Sequence, residues 1–348
     1  MYRKRVMYAV LDWGLGHATR SVPLIERLIE HDVQVFLAGN GSSLEWLAKR
    51  FPDLEFLEKP GKAIRYSKFF NTLKIAQQAP SFLASALAEK EWTQEMVRDL
   101  ALRGIISDNC YGIVSEKCPS VLISHQLNLP VPSIMRSPAQ RIIKRLTANF
   151  NEVWIPDLDS SSALAGKLSH PDSTGKGRYI GLLSQFKSVE EPAPTELLGM
   201  VSGPEPHRTL MQEAMVRLFE ADTREAVIVT GKPGGGTEVK DNVTIIHDPE
   251  PQQLAELLSG AQTIICRSGY SSLMDLATLG KRAVIIPTPG QPEQEFLADH
   301  WAEQFGFTVM EQKQLEKAEQ VPTVTGTPPV ATANTVATAI LDHFIERL

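Results

Sequence analysis

The stretch from Cys266 to Glu295, CRSGYSSLMDLATLGKRAVIIPTPGQPEQE, constrains this chain more than any other. It follows the apolar run AQTIIC, which reads as a strand buried on both faces and so as part of a parallel sheet. Ser268-Gly269 then makes a tight polar turn. From Ser271 to Leu279 the spacing predicts a helix with Leu273, Leu276 and Leu279 on one face. Gly280 stops it, and Lys281 and Arg282 sit at its negative end. A second buried strand, AVIIP, leads into a loop dense in Gly, Pro, Gln and Glu.

A strand–helix–strand unit of this kind offers backbone N–H groups and the hydroxyls of Ser268 and Ser271 at a helix N-terminus, where Gly269 lets a phosphate approach. Asp275 lies one turn further in, placed to accept hydrogen bonds from a ribose diol. The loop carrying Gln294 and Glu295 leaves the carboxyl edge of the sheet, where ligands bind in open α/β folds. An ordinary βαβ unit with a polar turn has the same pattern, so the residues alone leave both readings open.

The CRSG turn, the small-residue helix with its acidic residue, the LG stop and the Gln/Glu-rich loop resemble the donor-binding segment of GT-B glycosyltransferases, family 28 in particular. That resemblance implies a site for a UDP-sugar. Asp275 would hold the ribose, Ser268 and Gly269 the phosphates, and Gln294 with Glu295 the sugar. The family often has paired glutamines at the last two places, and Glu295 departs from that.

At 348 residues the chain has room for two domains, each with its own core. With 43% apolar and 22% charged residues it is globular, and a net charge of −6 argues against a nucleic-acid partner. Three cysteines without paired spacing argue for a reducing compartment and against a disulfide framework or zinc site. The opening run MYRKRVMYAVLDWG is too short for a signal peptide and is interrupted by Asp12. A cytoplasmic enzyme is expected.

Val6 to Leu11 predicts a first strand, followed by DWGLGHATR and a helix. Gly14 and Gly16 permit a sharp turn, but Thr19 takes the third glycine place of a dinucleotide fingerprint and no P-loop lysine follows. His17 has two readings by position: a general base on an acceptor hydroxyl, or a loop histidine that caps the helix. GLGHATR resembles the first loop of family 28 and related GT-B enzymes, which implies the base. Arg20 is a natural anion contact. The segment from Gly61 to Arg103 is mostly helical, with Phe69, Phe70, Phe82, Leu83 and Trp92 among its aromatic and apolar residues; it reads as a helical pair packed on the sheet or, on the GT-B resemblance, as a lining of the acceptor pocket. Strands GIISD and SVLIS end in Asp108-Asn109 and His125-Gln126; Asp108, His125 and Gln126 join Gly14, Gly16 and Arg20 as expected acceptor contacts, with a structural hydrogen-bonding role the equal alternative for His125 and Gln126 and a solvated helix position that for Arg20. SPAQRIIKRLTANF is a basic amphipathic helix, with Ile142, Ile143, Leu146 and Phe150 opposite Arg141, Lys144 and Arg145. It suits anionic lipid or its own sheet. Asp157-Leu158-Asp159 is read as a turn or helix cap, and no metal is expected.

Leu168 to Pro194 is Ser-, Gly- and Pro-rich and reads as the interdomain linker. The next strand opens into SGPEPHR, where Gly203, Glu205 and Arg208 are expected near the donor; family 28 usually has a Gly/Ser-rich loop there. His247 falls where GT-B enzymes hold uracil with backbone groups. The expected fold is α/β, a GT-B pair of Rossmann-like, doubly wound parallel-sheet domains facing across a cleft. Residues 1–170 would bind the acceptor, 177–330 the donor, and the helix in 331–348 would cross back to the first domain. The expected function is a metal-independent glycosyltransferase of hexosyltransferase type, with a UDP-sugar as co-substrate and no cofactor. Its acceptor would be a sugar, lipid or metabolite, with peripheral membrane contact on the inner face as a further expectation. The alternatives are a nucleotide-sugar 2-epimerase on the same fold, which would need more carboxylates than Asp12 in the first loop, and a non-catalytic sugar-nucleotide binding protein.

Overall fold

The computed structural model describes residues 3–60, 72–131, 133–232, 234–329 and 334–348. The chain divides into two compact units, Met1–Gln185 with Thr332–Leu348, and Phe186–Ala331.

In chain order the first unit contains β1 (Arg5–Val10), α1 (Gly16–Glu30), β2 (Gln34–Gly39), α2 (Gly41–Arg50), β3 (Glu55–Glu58), α3 (Thr72–Asp99), β4 (Gly104–Asp108), β5 (Ser120–Ile123), α4 (Ser133–Thr147), β6 (Glu152–Ile155) and β7 (Gly177–Tyr179). The seven strands form one parallel sheet in the order β3-β2-β1-β4-β5-β6-β7. β1 is central, with Tyr8 opposite Leu37 on one side and Ile106 on the other. Its residues Val6 to Val10 are fully buried, which is why the strand reads as an unbroken apolar run and not as an alternation. The strand order reverses between β1 and β4, so the carboxyl ends of these two strands flank the crevice where doubly wound sheets bind ligands.

The second unit contains β8 (Thr195–Val201), α5 (His207–Glu220), β9 (Ala226–Thr230), β10 (Thr237–Lys240), β11 (Val243–His247), α6 (Pro251–Gly260), β12 (Ala261–Arg267), α7 (Tyr270–Thr278), β13 (Val284–Ile286), α8 (Pro292–Phe305), β14 (Thr308–Val309) and α9 (Gln312–Leu315). Its sheet runs β10-β11-β9-β8-β12-β13-β14, with only the β10–β11 pair antiparallel. Here the order reverses between β8 and β12. Val201, which opens into the SGPEPHR loop, and Arg267, which opens into the serine turn, therefore stand at the second crevice.

The last helix, α10 (Thr335–Glu346), is part of the first unit and packs on α1. Arg27 of α1 grips Asp342 with both ends of its guanidinium, at 2.9 and 2.7 Å. Phe344 meets the buried Trp154 of β6 edge to face, with centroids 5.7 Å apart. Gly104 makes room for that ring: a β-carbon there would lie 2.8 Å from Phe344 Cζ and 2.6 Å from Leu348 Cδ2. Gly104→Ala is expected to destabilise the first unit by about 1–3 kcal/mol through overpacking. Chemical denaturation read on first-unit amides checks it, and an unchanged midpoint would mean α10 is not held there.

Several sequence expectations change. The first unit continues past 177 because Gly177–Tyr179 adds a seventh strand to its sheet, inside the expected linker and second domain. Where a helical pair was expected before β4, the described residues form the single helix α3. Phe69 and Phe70, and the side chains of Phe82 and Leu83, lie outside the described residues. On α4, Ile143 and Phe150 beyond it are buried as the apolar stripe requires, whereas Ile142 is 54% exposed among Arg141, Lys144 and Arg145. Asp157 is fully buried and accepts backbone N–H bonds from Leu158, Leu164 and Ala165, and the Ser169 hydroxyl at 2.6 Å. Its carboxylate thus closes the turn after β6. Among the described residues no helix is long and apolar enough to cross a membrane.

Candidate active site

In the first unit the crevice is built around His17, in the first turn of α1 just past the carboxyl end of β1. Gly14, at φ +77°, makes the reversal that brings α1 back beneath the sheet edge, and Gly16 is the first helical residue. Asp108 ends β4 and is fully buried. Its Oδ1 lies 3.0 Å from His17 Nδ1. Arg20, one turn along α1 and 3% exposed, donates from Nε to Asp108 Oδ2 at 2.7 Å and from Nη2 to Oδ1. An ionised carboxylate only accepts, so His17 Nδ1 carries the proton that faces Asp108 and leaves the lone pair on Nε2. That is the tautomer a general base requires.

The electrostatics favour the same state. Burial first, and then the charge of Arg20, hold the His17 imidazole below its ordinary range, outweighing the pull of Asp108. Burial would raise the Asp108 carboxyl, but Arg20 and His17 outweigh it and hold it well below the usual carboxylate range. His17 is therefore neutral, and Asp108 ionised, at neutral pH.

This revises the roles expected for the acceptor residues. Arg20 and Asp108 are committed to each other and to His17, so neither is an exposed anion or hydroxyl contact. His125 is likewise buried, with Nδ1 3.4 Å from Arg20 Nη1. Gln126 follows it half-buried, its backbone N–H donating to Ser124 Oγ at 3.3 Å.

In the second unit the serine turn and α7 stand where the sequence pattern puts them. Gly269 is the N-cap, with nothing within 4 Å of where a β-carbon would sit. Ser271 lies in the first turn of the helix and Asp275 is half-buried further along it. Ser268 differs: it is fully buried and its hydroxyl donates to the Gln294 carbonyl at 2.8 Å, so it anchors the loop before α8 and is not presented to a phosphate. Gln294 and Glu295 also serve that loop. Gln294 Oε1 accepts from Thr288 N at 2.9 Å and Glu295 Oε1 from Gly290 N at 2.8 Å. Both expected sugar contacts thus fix the shape of the TPGQ turn with their carbonyl or carboxylate oxygens.

The Gly203 loop shows a comparable division. Glu205 pairs with the Arg208 guanidinium at 2.7 Å and accepts the Thr209 hydroxyl at 2.8 Å, which caps the first turn of α5 and takes both expected donor side chains. The His247 ring is bonded at both nitrogens: Thr230 Oγ1 lies 2.7 Å from Nδ1 and Glu238 Oε1 3.2 Å from Nε2. Only backbone groups near it remain for a base.

Arg267 carries the charge of this crevice, and its position inside a motif read as a turn concealed it. It is 1% exposed, and among the described residues no carboxylate pairs with it. Its Nη2 donates to the His207 carbonyl at 2.9 Å and Gln312 Oε1 at 2.7 Å, and its Nη1 to the Pro287 carbonyl at 3.2 Å. Burial pulls its pKa down to about 10, which still leaves it charged at neutral pH. Arg267 Nε and Thr288 Oγ1 are both buried without a hydrogen-bond partner among the described residues. Both face Gly203, at 3.8 and 3.5 Å from the place of an added β-carbon. An exposed loop glycine at φ +101° above a guanidinium that forms no direct ion pair among the described residues is a setting for an anion.

Comparison with known proteins bears on the fold and the type of enzyme. Residues 240–325 match the glycosyltransferase family 28 C-terminal domain. Across 317 residues the chain is 20% identical to the UDP-N-acetylglucosamine–N-acetylmuramyl-(pentapeptide) pyrophosphoryl-undecaprenol N-acetylglucosamine transferase of Staphylococcus aureus strain MRSA252, covering 86% of this chain and 84% of that protein. Among solved structures, MurG of Acinetobacter baumannii is similar with a TM-score of 0.55 and 15% identity, over 90% of this chain and 89% of that one. The spinosyn rhamnosyltransferase SpnG complexed with thymidine diphosphate gives 0.64 and 14%, over 99% and 95%. These structures share the two-sheet GT-B fold, and with the sequence relatives they support a nucleotide-sugar glycosyltransferase, one whose residues 240–325 resemble the family 28 C-terminal domain.

Proposed function

We propose that the donor is a UDP-linked sugar, that the acceptor is a hydroxyl compound, and that His17 takes the hydroxyl proton. The observation that carries this is the His17–Asp108 pair at the strand-order reversal of the first sheet, with Nδ1 tied down and Nε2 left as the basic atom. As the acceptor oxygen bonds to the anomeric carbon, its proton passes to Nε2. The bond from that carbon to the diphosphate oxygen breaks, and the nucleoside diphosphate leaves. Imidazolium formed in this way is stabilised by the ionised Asp108.

The second unit supplies the nucleotide site. Asp275 serves the ribose, the start of α7 at Gly269 and Ser271 serves the phosphates, and the Gly203 loop over Arg267 meets the charge that develops on the leaving group. This reading replaces the Ser268 hydroxyl with Arg267 and needs no metal, since positive charge and backbone dipoles already stand there. The S. aureus relative is named for a UDP-N-acetylglucosamine donor, while SpnG was solved with thymidine diphosphate; the proposal takes the UDP side.

Thermal denaturation in EDTA with UDP, thymidine diphosphate and UDP-sugars tests it. A nucleotide at 100 times its Kd stabilises the native state by about 2.7 kcal/mol, a rise of a few degrees in Tm. The expected order places UDP above thymidine diphosphate. A protein that responds to neither, or to UDP only when a divalent metal is added, would sink the corresponding part of the reading.

A further inference from the structure

Arg20 separates this site from a plain histidine–carboxylate pair. Its guanidinium spans both oxygens of Asp108, and Nη2 also lies 3.0 Å from His17 Nδ1. The titratable and charged groups around the imidazole are Arg20 from α1, Asp108 from the end of β4 and His125 beyond β5, while Tyr8 of β1 stands near Asp108. All of these are buried. Asp108 therefore has one cationic partner before His17 gains any charge. A second proton on the imidazole would create a net positive charge in a largely buried site. Facing Asp108 alone, the same ring would be drawn toward imidazolium.

We propose that Arg20 is a positioning residue: by neutralising Asp108 it keeps His17 uncharged, Nδ1–H fixed on the carboxylate and Nε2 bare, under conditions where a lone histidine–aspartate pair would already hold the extra proton. The proposal rests on the reading of His17 as the base. Arg20 touches no substrate in this role; it acts through the other two side chains. It also gives GLGHATR a reason for its arginine, since three residues further along a helix puts Arg20 on the same face as His17.

The test is a nitrogen-15 NMR titration of the His17 ring in the wild type, Arg20→Gln and Arg20→Lys, alongside the pH profile of kcat/KM. In the wild type the Nδ1-protonated tautomer is expected, titrating below 6.5, the ordinary histidine value. Arg20→Gln keeps a hydrogen-bond donor but loses the charge, so ring midpoint and acid limb should rise together by about one pH unit or more. Arg20→Lys keeps the charge and should stay near the wild type. A wild-type ring that titrates at or above the ordinary value, or holds its proton on Nε2, overturns the proposal, as does a Gln variant indistinguishable from wild type. If Arg20→Gln fails to fold, the wild-type tautomer and the Lys variant still decide. A ring that shifts as expected while the rate profile stays put supports the role of Arg20 and removes His17 as the base.

Discussion

His17→Ala is expected to lower kcat by about 10²–10⁴-fold while the Tm rise on adding UDP stays as in the wild type. The two halves of that result come from different units. The proton leaves the acceptor at Nε2 of a ring held by Asp108, whereas the nucleotide is proposed to be gripped by α7, the Gly203 loop and Arg267. The substitution removes a polar side chain from the first turn of α1 and leaves the buried Asp108 paired with Arg20, so folding should be kept and circular dichroism should match. Asp108→Asn provides the companion measurement. Its amide nitrogen can donate to His17 Nδ1, which stabilises the tautomer with the proton on Nε2 and abolishes the base without removing the imidazole. Similar losses in both variants would mark the pair as the working unit. If His17→Ala instead abolished the UDP response and spared turnover of bound donor, the histidine would belong to the donor site.

The acid side of the wild-type profile follows from the direction of the His17 shift. A base whose pKa lies below 6.5 stays competent as pH falls through that value, and activity declines only further down. An acid limb above 6.5 would contradict the buried, arginine-flanked ring.

What the sequence makes legible here is local. Runs such as MYAV, GIIS and TIIC announce strands buried on both faces, and the Gly280 stop with its LG signature ends α7 within one residue of the expected place. The place of His17 just after the first strand is legible, although its reading as a base rests on the GLGHATR resemblance and not on position. The partners that define its chemistry are not. Asp108 is 91 residues from His17 and 88 from Arg20, and only the β1–β4 adjacency at the sheet's order reversal brings them together. An arginine and an aspartate each read alone as ligand contacts; paired and buried, they become supports. The same holds for Gln294 and Glu295. Polar residues in a loop must first satisfy the loop's own backbone, and Thr288 and Gly290 take their oxygens. β7 and β10 escape because their exposed or half-buried residues lack an apolar run.

Arg267→Met is expected to cost the second unit about 3–4 kcal/mol and to remove most of its UDP affinity. The guanidinium joins β12 to the His207 carbonyl at the start of α5, the Pro287 carbonyl after β13 and the Gln312 amide of α9 through one side chain. Methionine fills the volume but leaves three acceptors without this donor, the Gln312 oxygen buried and the two carbonyls part-buried, each a loss of about 1–3 kcal/mol that partial exposure and relaxation reduce. Arg267→Lys retains the charge, yet one ammonium on a flexible stem cannot reach three acceptors in a fork, so it should recover only part of the stability. Because the chain has two units, a single melting curve would blur the effect. Hydrogen exchange separates them: amides of β8 and β12 should exchange faster in Arg267→Met, while those of β1 and β4 keep wild-type rates. Affinity is the second readout. If Arg267 is only a strut, UDP affinity in the Lys variant will track recovered stability. If its charge also meets the diphosphate, Lys will bind UDP more tightly than an equally destabilised variant without the charge, such as Arg267→Gln. Wild-type exchange in Arg267→Met would show that the fork holds nothing, and equal UDP affinity in the Lys and neutral variants would place the diphosphate elsewhere.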